Sequence, residues 1–179
     1  MLEGNTVNLR PIERSDLHNM VVWRNKSRVL RAFFSQRSLT MSEQERWYEE
    51  YCRREEDTLF IVETKEGKPI GTVGLSNIDP VNRSAEFGRL MIGEDDELGK
   101  SYASDATRTL VRFGFVELSL NRIWLEVFAW NQQAIILYGR CGFWQEGVKR
   151  QAILAGGVFH DVVLMSVLRD DLLGQKLGE

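Results

Sequence analysis

The sequence predicts an α/β (α+β) chain in which a mixed central β-sheet is flanked by helices, organised as a single domain over residues 1–179. Three observations predict it. Strand-like and helical runs interleave in the order β-α-α-β-β-β-α-β-α-β-β. Three of the strand-like runs follow one another across short turns, as in an antiparallel meander. The run NRIWLEVFAW (121–130) has little polar interruption, as expected of a strand covered on both faces in a parallel pairing.

Each element has its own local signal. TVNLRPI (6–12) alternates as a short strand, and ERSDLHNMVVWRN (13–25) carries Leu17, Met20, Val21 and Arg24 at helical spacing behind Ser15, a candidate cap. Ser42 with Glu45 forms a capping-box pattern, and Trp47 and Tyr51 lie one turn apart on the helix it would open. TLFIVET (58–64) and PIGTVGLSNID (69–79) read as strands joined by the turn KEGKP, and SAEFGRLMIG (84–93) as a third after the loop PVNR. Ala103, Ala106, Leu110 and Phe113 recur along one face of an amphipathic helix. NQQAIILYGRCGF (131–143) reads as a short helix capped by Asn131 and stopped by Gly142, and VFHDVVLMSVL (158–168) as a β-rich run before the tail DDLLGQKLGE. No repeat, low-complexity segment or linker divides the chain.

Composition limits the function classes. The chain is 43% hydrophobic and 27% charged, ordinary for a globular protein. The N-terminal MLEGNTVNLRPIER lacks an apolar core segment, and no run approaches the roughly 18 apolar residues of a membrane span, so a cytoplasmic protein without membrane association is expected. Cys52 and Cys141, with only His18 and His160 beside them, fit no metal-ligand spacing; both read as reduced thiols, in the core or half-buried. A net charge of −3 argues against a nucleic-acid partner. One local patch opposes the global sign: Leu17 to Ser42 contains no Asp or Glu but holds Arg24, Lys26, Arg28, Arg31 and Arg37, either as a solvated basic face or as a site for an anionic ligand.

The turn LGKSYASDA (98–106) carries the chemical question. A helix opening near Ser101 leaves its first N–H groups without intrahelical partners and points the positive end of its dipole at the turn, so an anion there is stabilised. Gly99 permits close backbone approach, and Ser101 and Ala103 are small. The alternative is a simple strand-to-helix turn.

The segments GTVGL, AEFGRLMI, LGKSYASDA, LEVFAWNQQAIILYGRCGF and HDVVLMSVL resemble the GCN5-related N-acetyltransferase (GNAT) family over nearly the whole chain. They match the branch with ribosomal-protein alanine, spermidine and amino-sugar acetyltransferases. The resemblance implies a GNAT fold and acetyl-CoA as cosubstrate. It implies that Leu98, Gly99, Lys100, Ser101, Tyr102 and Ala103 hold the pyrophosphate, in a turn usually written Gln/Arg-x-x-Gly-x-Gly/Ala. Ser101 departs from the common second glycine, and the neighbouring Glu94 to Glu97 place four carboxylates where they would repel a polyphosphate unless turned away.

Acetyl transfer to an amine needs a neutral nucleophile, a polarised carbonyl and a proton source for the leaving thiolate, and an alkyl amine titrating near ~10.4 gains from a general base. Glu86, an ionisable residue in an otherwise apolar strand, is the candidate base, or else a strand-edge carboxylate paired with Arg83 or Arg89. The family position of Tyr138 makes it the candidate acid; otherwise it is a core tyrosine with a satisfied hydroxyl. Asn131 caps its helix or also binds the pantetheine arm, and Leu90, Met91 and Ile92 supply the backbone N–H for the thioester oxygen. Trp23, Arg24, Asn25, Arg28 and Arg31 resemble the acceptor region of enzymes acting on nucleotide-linked amino sugars, with Trp23 stacking on a base or sugar ring, or else being a core aromatic of the first helix, and the arginines holding a diphosphate. An amino sugar or its nucleotide conjugate is therefore the favoured acceptor. A protein N-terminus, a polyamine, and a non-catalytic CoA-binding or interaction role are the alternatives. The β-rich C-terminal run can present an edge to a second copy, so a homodimer is expected.

Overall fold

The computed structural model describes residues 1–54 and 56–173. Eight strands form one sheet: β1 (Leu2–Glu3), β2 (Val7–Pro11), β3 (Thr58–Thr64), β4 (Pro69–Asp79), β5 (Ser84–Ile92), β6 (Arg122–Phe128), β7 (Trp144–Ala155) and β8 (Val158–Leu168). The helices are α1 (Leu17–Arg24), α2 (Ser27–Ala32), α3 (Met41–Tyr51), α4 (Tyr102–Val116), α5 (Gln132–Arg140) and α6 (Arg169–Leu173). The spatial order is β1-β2-β3-β4-β5-β6-β8-β7, every neighbouring pair being antiparallel except β5–β6. The bounds of β3 and β4 are those the turn residues predict, and β3 to β5 form the expected meander.

Alternation along the strands divides the core into two layers. In β3, Phe60 and Val62 point to the layer that packs against α4 and α5, whereas Leu59 and Ile61 join Leu17, Met20 and Trp23 of α1 on the other face. On α4, Ala106 and Leu110 are fully buried and Ala103 and Phe113 pack partly against them, which is the predicted stripe. The helix is tied to β2 at its first turn. Burial alone would raise the Asp105 carboxyl, but N–H groups of Thr6, Asn5 and Val7 and the Thr6 hydroxyl outweigh it and hold the carboxyl below its usual range.

Three local expectations are corrected. The capping box of α3 uses Thr40 and Glu43, each side chain bonded to the other's N–H, rather than Ser42 and Glu45. Ser15 caps nothing: a short 3-10 turn (Arg14–Asp16) opens at Glu13 and runs directly into α1. Cys52 is exposed, while Cys141 is buried. Of the tail, residues 170–173 lie in α6, and residues 174–179 fall outside the described residues. Among the described residues no helix is long and apolar enough to cross a membrane.

Candidate active site

The site begins where two parallel strands part. β5 and β6 pair only through Ser84–Glu86 against Arg122–Trp124; beyond that β5 stays on β4 and β6 on β8. The gap is a cavity of about 570 Å³ with Glu86, Phe87 and Arg89 on one wall and Leu125, Asn131 and Tyr138 on the other.

A β-bulge shapes the first wall. Thr72 pairs with Met91 but Gly74 with Gly88, so two residues of β5, Arg89 and Leu90, face one of β4. The slip reverses the alternation: Phe87 and Ile92, five residues apart, end in the same core layer. Arg89 takes up the kink in the left-handed region, at φ +54°, and its carbonyl is held by the Thr72 hydroxyl at 2.6 Å. Leu90 thus borders the cavity on an edge that β6 has left, so its main chain is available there.

At one end of the gap lies the N-terminus of α4. Gly99 (φ +78°) and Ser101 (φ +63°) are both left-handed, and together they turn the chain into α4. A Cβ on Gly99 would meet nothing within 4 Å, so glycine is needed here for its dihedral and not for space. Ser101 makes no side-chain cap bond, which leaves the initial N–H groups for an incoming anion.

The four nearby carboxylates do not repel it freely, because each is engaged. Glu94 accepts from the Trp23 indole at 2.7 Å, and Asp95 accepts from Lys26 and Arg28. Asp96 and Glu97 share Lys68, and Glu97 also takes Lys100 at 2.7 Å. Those hydrogen bonds hold the Asp95, Asp96 and Glu97 carboxyls below their usual range.

Tyr138 is half-buried, edge-on to Phe87 at 5.8 Å and tilted against Phe143 at 5.9 Å. None of the hydrogen bonds among the described residues engages its hydroxyl, and burial pushes the phenol well above its ordinary range, with Cys141 adding to the effect. Glu86 faces the same cavity and accepts from the Asn77 amide at 2.8 Å; Arg83 and Arg89 bond elsewhere, to the Ser119 carbonyl and to Asp57. Asn131 caps α5 by accepting from the Ala134 N–H at 3.3 Å and also borders the cavity.

The basic segment is mostly architecture, which corrects the acceptor expectation for Trp23 and Asn25. Trp23 is 1% exposed: its ring packs on Gly93, where a Cβ would sit 2.0 Å from the indole, so it offers no stacking face. Asn25 exchanges two 2.8 Å bonds with the main chain of Leu39. Arg28 borders the main cavity and the adjoining one while donating from Nε to Asp95, from Nη1 to the Ile92 carbonyl and from Nη2 to the Gly93 carbonyl at the end of β5. Arg31 is exposed and borders an adjoining cavity of about 520 Å³ with Leu98 and Asn131, on the side of the α4 turn. Arg24 alone of the five both lines the main cavity and keeps an unengaged nitrogen.

Sequence reasoning missed Phe33, Phe34, Arg89 and Glu126, all of which line the cavity. Two signals were present. Phe33–Phe34 is an aromatic pair in a polar stretch, and Glu126 is the single carboxylate of an apolar strand, where it takes Lys149. Arg89 gave no signal, because a bulge is set by pairing with another strand.

Comparison with known proteins matches this geometry. The model of an acetyltransferase (GNAT) domain matches residues 6–144. The spermidine N(1)-acetyltransferase of Vibrio cholerae is 29% identical over 168 residues, covering 94% of this chain and 96% of its own. That of Escherichia coli K12 is 29% identical over 175 residues, covering 98% and 92%. A crystal structure of the Vibrio cholerae spermidine N-acetyltransferase in complex with CoA and spermine superposes with a TM-score of 0.87 at 28% identity, over 93% of this chain and 97% of that one. The fold is thus shared over nearly the whole chain, and this protein belongs to the GNAT family as an N-acetyltransferase that uses acetyl-CoA.

Proposed function

We propose that the gap between β5 and β6 transfers acetyl to the primary amine of a small acceptor, with Glu86 on the acceptor side and Tyr138 at the leaving group. The observation that carries this reading is that Glu86, Tyr138 and the bulged edge of β5 face one cavity beside the α4 N-terminus. Acetyl-CoA supplies an activated acyl group on a thiolate leaving group. The Gly99–Ser101 turn and first N–H groups of α4 fit its diphosphate, and the main chain near Leu90 fits the thioester oxygen. As the amine nitrogen bonds to the acetyl carbonyl carbon and the C–S bond breaks, Glu86 takes the proton lost by the amine, directly or through water, and the sulfur departs as thiolate. Tyr138 keeps its proton, since a phenol, ordinarily near ~10 and raised further here, is a weaker acid than a thiol titrating near ~8.5; it stabilises developing thiolate charge by donating a hydrogen bond.

The amino-sugar reading loses its stacking platform with Trp23 buried, and the similarity to spermidine acetyltransferases favours a polyamine as second reading. A homodimer through the exposed β7 edge completes the proposal. Thiol release should be followed with acetyl-CoA and a panel of amino sugars, nucleotide-linked amino sugars, polyamines and peptide N-termini. One class should turn over, and Tyr138→Phe should lower kcat by about 10²-fold with acetyl-CoA binding retained. Absence of turnover with every class would overturn the reading.

A further inference from the structure

We propose that the acceptor carries an anionic group, a carboxylate or a phosphate, apart from its reactive amine, and that Arg24 and Arg89 receive it. The inference rests on the acetyl-transfer reading above and names its substrate class. Arg24, the last residue of α1, is 8% exposed. Its guanidinium lies over the Phe33 ring at 4.1 Å, and Nη2 donates to the Ser35 carbonyl. Nη1 is buried and has no acceptor among the described residues, and no described carboxylate forms an ion pair with this side chain. The neighbouring cations differ: Lys26 and Arg28 hold Asp95, and Arg37 holds Glu43. A buried guanidinium without a counter-charge is costly, and an anion that accepts from its fork removes the cost.

Arg89, from the opposite side, has a counter-charge in Asp57 but likewise keeps one nitrogen without a partner. Its Nη2 donates to Asp57 at 3.1 Å, its guanidinium lies 5.5 Å from the Trp47 ring, and its Nη1 is buried without a partner among the described residues. Arg24 and Arg89 both line the acetyl-transfer cavity and also a second cavity of about 460 Å³, walled by Phe33, Gln44, Trp47 and Leu59. The two arginines therefore stand on a shared wall, with the reactive centre on one side and the second cavity on the other. The charged groups bordering that second space are Arg24, Arg37, Arg89 and Glu43, and Glu43 is already taken by Arg37 and Thr40. A second ammonium group of a polycation placed there would meet the uncompensated charge of Arg24, whereas a carboxylate or phosphate would accept an N–H from the unpartnered Nη1 of each arginine.

The test compares matched acceptors at saturating acetyl-CoA: ω-amino carboxylates against alkylamines of equal length, O-phosphoethanolamine against ethanolamine, and spermidine. The anionic member should have at least tenfold higher kcat/KM, carried by KM, and the better of the two anions identifies the source. Arg24→Gln should bring that ratio close to one. Arg89→Lys, which keeps a charge for Asp57 but loses the planar fork, should reduce it and guards against misfolding of the first variant. Calorimetry with glutarate and with inorganic phosphate, neither carrying an amine, should show binding that Arg24→Gln abolishes. Preference for spermidine or for uncharged amines overturns the anion site and leaves acetyl transfer standing. If no amine is acetylated, the transfer reading falls, and calorimetry alone decides whether the anion site exists.

Discussion

Ser101 occupies a backbone conformation that suits glycine. At φ +63° an L-residue with a Cβ costs about 1–2 kcal/mol. Because the side chain is exposed and makes no cap bond, Ser101→Gly should relieve that strain and lose nothing else. After the extra flexibility of glycine in the unfolded chain, about 0.5–1 kcal/mol, the variant should be more stable by roughly 0.5–1 kcal/mol in urea denaturation and bind acetyl-CoA at least as well. Ser101→Val should lose stability and weaken acetyl-CoA binding; equal stability of all three would show that the turn is not strained. Gly99, Ser101 and Asn131 were legible in the sequence because turns and caps depend on neighbours a few residues away. Trp23 was not: its indole partner, Glu94, and its packing surface, Gly93, lie about seventy positions along the chain. The same aromatic that fits a sugar ring fits a core, and only the long-range contact distinguishes them.

At the scale of elements, the segment between α2 and α3 roofs the cavity, and the basic motif fastens it. Asn25 grips Leu39, Arg24 grips Ser35, and Phe34 packs edge-on against Phe128 of β6 at 4.9 Å. Asn25→Ala should cost about 1–3 kcal/mol, by leaving two main-chain groups unpaired, and should raise KM for the acceptor more than it lowers kcat. An unchanged KM would mean that the roof does not touch the acceptor. A second device joins three strands: Arg122 of β6 donates to both carboxylate oxygens of Glu146 in β7, and Ser166 of β8 donates at 2.7 Å. Arg122 holds the Glu146 carboxyl at about 2 against an ordinary 4.5. The folded value lies below the unfolded one, so the contribution is complete above about pH 4.5 and is lost as pH falls toward 2. Glu146→Gln should therefore reduce stability at pH 7 and converge with the parent near pH 2 in acid titrations of unfolding; a constant gap would remove the ion pair as its cause. Elements were more legible than caps. The turn KEGKP set the ends of β3 and β4, whereas Thr40…Glu43 and Ser42…Glu45 satisfy the same capping pattern, and the helix starts at the former, next to the Asn25–Leu39 clasp. The bulge at Arg89 could not be read from either strand alone.

At the scale of the molecule, one sheet edge is left open. β7 is the outermost strand, 12 residues long, and its residues are exposed on both faces for most of its length. Trp144 is 72% exposed, and Leu154, Val158 and Phe159 are exposed where the β7–β8 hairpin runs past the core. A long edge carrying large apolar side chains is normally paired or covered, because its free N–H and C=O groups template association. The hairpin also reaches the active-site roof: Ala155 and Ile153 pack with Phe34 and Phe128, and Lys149 holds Glu126 in the cavity wall. A second copy on this edge would brace the roof of each site as well as cover the apolar surface. Sedimentation should give twice the chain mass, and Trp144→Lys with Val148→Lys should shift it toward the monomer and raise KM for the acceptor, since the hairpin loses its support. A monomer mass for the parent chain would overturn the dimer. A monomeric variant with unchanged kinetics would show instead that pairing covers the edge without serving the site.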